Sequence, residues 1–212
     1  KLPRDGAYVL APNHYSEADP LAVALAVWKS GRAPRFMAKE SLFKVPVLGA
    51  LMRATGQIPV ERAGSRPEQG KNPLSAANTL IEKQSSVIVY PEGTLTRDPD
   101  LWPMRGKAGA VRLALESGIP LIPAAHWGSQ RLMPRYGKKI KPFPRKTVEV
   151  MIGESLDLSR FTGRPIDARL LNEATDVLMQ EIARLLGELR GETPPPERWD
   201  PASHQQSETG RF

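Results

Sequence analysis

A histidine followed five positions later by an aspartate, in Asn13-His14-Tyr15-Ser16-Glu17-Ala18-Asp19, is the pair in this sequence best spaced for proton transfer. A histidine on a turn stays accessible. A carboxylate five positions on can fold back to take the proton of one ring nitrogen, which leaves the other nitrogen as a base. Two other readings fit the same residues. Asp19 before Pro20 is a good helix N-cap followed by a good first helical residue. His14, Glu17 and Asp19 could instead form a metal site, although the usual second histidine is missing.

Three further segments have chemical potential. Gly56-Gln57-Ile58-Pro59-Val60-Glu61-Arg62 is a glycine turn running into a short extended stretch that delivers Arg62. The planar fork of an arginine suits phosphate, and an ion pair with Glu61 is the alternative. Val87 to Tyr90 is an apolar run that stops at Pro91 and presents Glu92, Gly93 and Thr94, with Arg97 just beyond. Proline ends strand pairing on its amide side and glycine lets the main chain approach a ligand, so this reads as a site loop or as an ordinary strand-to-loop junction. Gly118-Ile119-Pro120-Leu121-Ile122-Pro123 is an apolar strand between prolines, a core strand before it is a channel wall. Lys107, beside Gly106, is a further phosphate-binding candidate. Arg131, Arg135, Lys138, Lys139, Lys141, Arg145 and Lys146 form a basic stretch with no acid between its ends, suited to anionic headgroups or the phosphates of coenzyme A, or simply to water.

Positioning these groups requires alternating strands and helices. Short apolar runs at Tyr8 to Ala11, Arg35 to Ala38, Gln57 to Val60, Val87 to Tyr90, Leu121 to Ala125 and Val148 to Ile152 read as strands. Helical patterns cover Pro20 to Ser30, Pro46 to Ala54, Asn72 to Gln84 and Gly109 to Ser117. A long helix is predicted from Asp167 to about Arg190, because Leu171, Ala174, Leu178, Ile182, Leu185 and Leu189 recur at spacings of three and four. The expected fold is therefore α/β, a single domain with a mixed, mostly parallel sheet flanked by helices. Residues 1–190 form that domain. Beyond Gly191 the run Pro194, Pro195, Pro196 and the polar residues after it predict a flexible tail over 191–212.

Composition narrows the partners. A net charge of +7 over 212 residues favours anionic ones. Aromatic residues are only 6%, and no basic run is interleaved with stacking aromatics, so nucleic acid is not expected. The absence of cysteine removes disulfides, thiol nucleophiles and thiolate metal sites. No run reaches the roughly 18 apolar residues of a spanning helix. The chain begins at Lys1 with neither Met nor a leader pattern, so upstream sequence, with any membrane element in it, is expected to be missing. No repeat of solenoid period is present, nor a Gly-x-Ser-x-Gly elbow for an acyl-enzyme.

The four motifs, in this order, resemble those of the glycerolipid acyltransferase family that includes the 1-acylglycerol-3-phosphate acyltransferases, over about Pro3 to Ile152. The matching residues are Asn13-His14 with Asp19, Gly56 through Arg62, Tyr90-Pro91-Glu92-Gly93-Thr94, and Gly118 to Pro123. The resemblance implies a base at His14, an orienting Asp19, a matched Asn13, acceptor-phosphate binding around Gly56 and Arg62, and substrate positioning by Glu92, Gly93 and Thr94. Many members carry a basic residue directly after the threonine; here Leu95 stands there, and Arg97 is the nearest cation. The implied reaction moves an acyl group from acyl-CoA or acyl carrier protein, as a thioester co-substrate, to 1-acylglycerol 3-phosphate, with no metal or other cofactor. Glycerol 3-phosphate or another lysophospholipid is the alternative acceptor, and a noncatalytic anionic-lipid-binding domain the alternative class. The expected location is cytoplasmic, peripheral at the inner face of the membrane.

Overall fold

The computed structural model describes residues 2–60, 81, 82 and 84–207. Tyr8–Pro12 (β1), Ser86–Ile88 (β4), Leu121–Trp127 (β5) and Glu149–Ile152 (β6) form a four-stranded sheet in the order β4-β1-β5-β6. β1 runs parallel to both β4 and β5, with Val9 opposite Val87 and Leu121, while β6 is antiparallel to β5. Met37–Lys39 (β2) and Ile58–Val60 (β3) pair in parallel as a two-stranded sheet. The expected mixed, mostly parallel α/β sheet is thus present, with two of its predicted strands paired mainly with each other and joined to β4 by a parallel bridge between Phe36 and Ile88.

β1 has no alternation because it is buried throughout, as are all but the last residue of β5. Central parallel strands are covered on both faces and need apolar residues on each side. One face of the sheet packs on Gly109–Ser117 (α4) and Ala168–Arg190 (α6), through Val9, Ala11, Val87, Leu121, Val111, Ala114, Leu178 and Ile182. The other face, with Tyr8, Leu10, Ile88 and Ile122, receives Val23 and Val27 of Asp19–Lys29 (α1).

The long helix forms as its periodicity predicts. Asp167 caps it, accepting the Leu170 amide at 2.8 Å, and Gly191 ends it in the left-handed region with φ of 67°. It buries Leu171, Ala174, Leu178, Ile182 and Leu185. Each large aliphatic in such a stripe contributes about 1.5–3 kcal/mol. Near its end Arg190 lies across the rings of Trp102 and Trp127, at 4.2 and 4.5 Å from their centroids.

Residues 192–207, within the expected flexible tail, make contacts with the domain and with one another. The Trp199 carbonyl accepts the Arg105 amide at 3.0 Å, Arg198 pairs with Asp176, Pro201 is buried, and Trp199 stacks on His204 at 3.5 Å. Low apolar content says nothing of polar anchors, and here the Arg105 amide and Asp176 on α6 hold the segment to the domain. The predicted helix over Asn72–Gln84 falls mostly outside the described residues. Glu40–Phe43 (α2) and Leu48–Ala54 (α3) form a short elbow between β2 and β3.

Candidate active site

Because β4, β1 and β5 are parallel and adjacent, their C-terminal ends open onto the same edge, and the loops that follow meet there. Open parallel sheets place their ligand crevices at such an edge. The loop after β1 carries Asn13 to Asp19, the loop after β4 carries Tyr90 to Asp98, and the loop after β5 carries Gly128 and Ser129.

The spacing argument at His14 holds in three dimensions. Its Nδ1 lies 3.0 Å from Oδ2 of Asp19, and its side chain is 17% exposed while that of Asp19 is 0%. Oδ2 also accepts the amides of Tyr15 at 2.7 Å and Ser16 at 2.8 Å, and Oδ1 accepts the hydroxyl of Ser129 at 2.5 Å. Asp19 is therefore not the N-cap, which is Ala18 with no side-chain cap bond. Burial alone would favour the neutral acid. The hydrogen bonds from His14 and from the Ser129 hydroxyl outweigh it and hold the carboxyl below its ordinary range, so Asp19 is an anion. With Nδ1 facing that anion, Nε2 of His14 has no hydrogen-bond partner among the described residues.

The backbone of His14 is clamped by the neighbouring loop. Its amide donates to Oε1 of Glu92 at 2.8 Å, and its carbonyl accepts the Thr96 amide at 2.7 Å. Oε2 of Glu92 accepts the Met104 amide at 3.1 Å. Glu92 is 0% exposed, and burial, only partly offset by those two amides, pushes its carboxyl up to about 8. Glu92, assigned from the sequence to substrate positioning, has its side chain turned inward, where it ties the two loops together. Tyr90 stacks on the His14 ring, with centroids 4.0 Å apart.

Asn13 bridges two strands. Its Oδ1 accepts the His126 amide at 2.9 Å and its Nδ2 donates to the His126 carbonyl at 3.2 Å, continuing the β1–β5 ladder with a side chain. His126 itself is a second histidine near the pair, 3.8 Å from Asp19, and sequence reading missed it. A separation of 113 residues from Asn13 leaves no local signal. Its Nε2 meets the Asn13 carbonyl at 2.9 Å, which can only accept, so Nε2 carries the proton; Nδ1 then takes the Tyr15 hydroxyl at 3.2 Å. Complete burial depresses its pKa despite the pull of Asp19, so His126 is neutral and inaccessible. Of the two histidines only His14 can meet a substrate. Among the described residues no group of three His, Cys, Asp or Glu could hold a metal ion.

The remaining candidates divide. Gly93, at φ of 68°, is exposed, and the stem of Lys107 lies over it, 3.2 Å from where a Cβ would stand. Thr94 is half-buried beside it and the Lys107 amide donates to the Pro91 carbonyl at 2.7 Å, so these three share the mouth of the loop. Gly56 occupies the turn between α3 and β3, its amide on the Arg53 carbonyl. Arg62 lies outside the described residues. Arg97 is 1% exposed and donates to the Tyr136 hydroxyl at 2.5 Å, so it is enclosed rather than offered to a phosphate. Arg135, expected in a solvent-facing basic stretch, donates to the Thr96 and Asp98 carbonyls at 2.7 Å and stitches the loop after β5 to the loop after β4.

A family model described as acyltransferase matches residues 1–127. The 1-acyl-sn-glycerol-3-phosphate acyltransferase of Bacillus subtilis (strain 168) is 29% identical over 190 residues, covering 89% of this chain and 87% of the relative. A chloroplastic 1-acyl-sn-glycerol-3-phosphate acyltransferase of Brassica napus is 31% identical over 130 residues, covering 61% of this chain. One of Arabidopsis thaliana is 28% identical over the same length. The chain spans only 36% and 34% of those two plant relatives.

Proposed function

The chain belongs to the acyltransferase family, and on that premise we propose that it transfers a fatty acyl group from a thioester to the free hydroxyl of 1-acylglycerol 3-phosphate, giving phosphatidic acid. The names of its relatives support that acceptor. The observation that carries the chemistry is the contact of His14 Nδ1 with a buried, ionised Asp19 at 3.0 Å.

In this reading, neutral His14 takes the proton of the acceptor hydroxyl on Nε2 as that oxygen attacks the thioester carbonyl. Asp19 offsets the positive charge that develops on the ring, and its bond to Nδ1 keeps the ring in the tautomer whose Nε2 is free. The tetrahedral intermediate collapses with loss of the thiolate, which His14 reprotonates. A positioned general base of this kind supplies about 10²- to 10⁴-fold. The step as written needs no metal or further cofactor. Lys107, Gly93 and Thr94 at the loop mouth, with Arg62 and Gly56, are the residues we assign to the acceptor phosphate. Acyl-CoA or acyl carrier protein is the donor, and the enzyme works as a peripheral protein on an anionic membrane, at its cytoplasmic inner face. The absence of a spanning helix among the described residues is compatible with that location.

Thiol release from palmitoyl-CoA, measured with lysophosphatidic acid, glycerol 3-phosphate or no acceptor, tests the reading against His14→Ala. Release that depends on lysophosphatidic acid and on His14 is expected. Turnover by the variant at the wild-type rate would remove the base, and preference for glycerol 3-phosphate would change the acceptor.

A further inference from the structure

The loop between α5, a short helix at Ser129–Leu132, and β6 has an unusual surface. From Lys138 to Arg145 every residue is exposed. Two of them are large and apolar: Ile140 is 56% exposed and Phe143 is 86% exposed. They alternate with Lys138, Lys139, Lys141 and Arg145, and no acid occurs anywhere from Ser129 to Val148. Pro142 and Pro144 flank Phe143 and restrict the backbone there, so presenting the ring to solvent costs less chain entropy.

The root of this loop is bonded to both loops that hold His14. Met133 accepts the Ser16 hydroxyl at 2.5 Å, the Tyr136 amide donates to Glu17 at 3.2 Å, and Arg135 holds the Thr96 and Asp98 carbonyls. The Lys141 amide turns the chain back onto the Leu132 carbonyl at 2.7 Å. Whatever this loop touches is therefore mechanically tied to the segments carrying the base and its orienting acid.

We propose that the 138–146 loop is a docking element that inserts Phe143 and Ile140 between the headgroups of an anionic bilayer while its cations lie on the lipid phosphates. Cations alone would fit a carrier protein or the phosphates of coenzyme A as well. The phosphates of coenzyme A give the apolar side chains nothing to bury in, and the pairing of exposed apolar groups with a ring of cations matches a bilayer, which takes both. Each lysine or arginine at an anionic surface is worth roughly fivefold in partitioning, and burying an aromatic side chain about tenfold or more. The inference rests on the acyl-transfer reading only for what docking achieves, which is to hold the mouth near His14 at the surface where a lysophospholipid resides.

The test is sedimentation of the full chain with phosphatidylcholine vesicles, with and without phosphatidylglycerol, in the absence of substrates. Binding only to the anionic vesicles, weakened by salt, is expected. Phe143→Ala should lose about tenfold, and Lys138→Gln with Lys139→Gln and Lys141→Gln roughly a hundredfold, with unchanged thermal midpoints because all four side chains are exposed. Equal binding to neutral vesicles overturns the proposal, as does wild-type binding by both loop variants. A loss that falls instead on Leu25→Ala with Trp28→Ala, which removes the exposed apolar face of α1, also overturns it. So does a charge variant that keeps vesicle binding but loses affinity for an acidic acyl carrier protein. Vesicle binding with no thiol release from palmitoyl-CoA would count against the acyl-transfer reading and leave the docking element standing.

Discussion

Oδ2 of Asp19 is shared between the His14 ring, at 3.0 Å, and two backbone amides of the turn that joins them. The same oxygen thus shapes the loop and orients the base, so charge and shape can be separated by substitution. Asparagine can place its oxygen where Oδ2 stands and donate from its nitrogen to the oxygen of Ser129. Asp19→Asn should therefore keep stability within about 1 kcal/mol while lowering kcat by about 10²- to 10⁴-fold. Asp19→Ala should also destabilise the fold, by about 1–3 kcal/mol, because two amides and a hydroxyl lose a buried partner. Urea denaturation beside steady-state kinetics reads both effects, and equal stability of the two variants would contradict the shared role.

Glu92 makes stability depend on pH. Its carboxyl binds a proton more tightly in the folded chain than in the unfolded one, so its contribution is complete below the ordinary value near 4.5 and is lost as pH rises through about 8. Glu92→Gln cannot titrate and should flatten that decline. It should also cost about 1–3 kcal/mol, since its amide nitrogen must face the N–H of either His14 or Met104. His126, whose pKa is depressed by burial, acts in the opposite sense, with stability present above its ordinary value of 6.5 and lost as pH falls. The difference between wild type and Glu92→Gln, measured by denaturation across this range, cancels the histidine. A difference that does not change with pH would refute the buried acid.

Gly128 sets the position of Ser129. It has φ of 116°, and a Cβ there would collide with the Thr147 carbonyl oxygen. Gly128→Ala should cost about 1–3 kcal/mol through strain and overpacking. It should lower kcat more than it raises KM, because the Ser129 hydroxyl would leave Asp19. Ser129→Ala, which removes that bond without strain, should reproduce the kinetic effect with a smaller loss of stability.

Arg97 and Arg62 should behave differently, although the sequence offers both as substrate-binding cations. Arg97 is enclosed and bonded to Tyr136, so Arg97→Lys should lower the thermal midpoint and leave the acceptor KM within about threefold. Arg62→Ala should mainly raise the KM of a phosphorylated acceptor. Reversed outcomes would move the phosphate contact from Arg62 to Arg97.

Local pattern is sufficient for the parts of this protein governed by near neighbours along the chain. The five-residue interval from His14 to Asp19, the apolar runs that become β1 and β5, and the three-and-four spacing of α6 are all settled within a few turns of backbone. What lies outside local pattern is set by contacts between distant residues. The sequence offers Glu92 as a site-loop carboxylate, yet the meeting of two parallel strands encloses it under the His14 amide, 78 positions away. Asn13 and His126 are 113 apart, and Ser129 and Asp19 are 110 apart. Arg97 reads as a phosphate ligand until Tyr136 closes over it, and the contact of the Trp199 carbonyl with the Arg105 amide has no signal in the polar segment after Gly191. Burial, and with it the charge state of each acid and histidine, is a property of the packed interior and of no single stretch of chain.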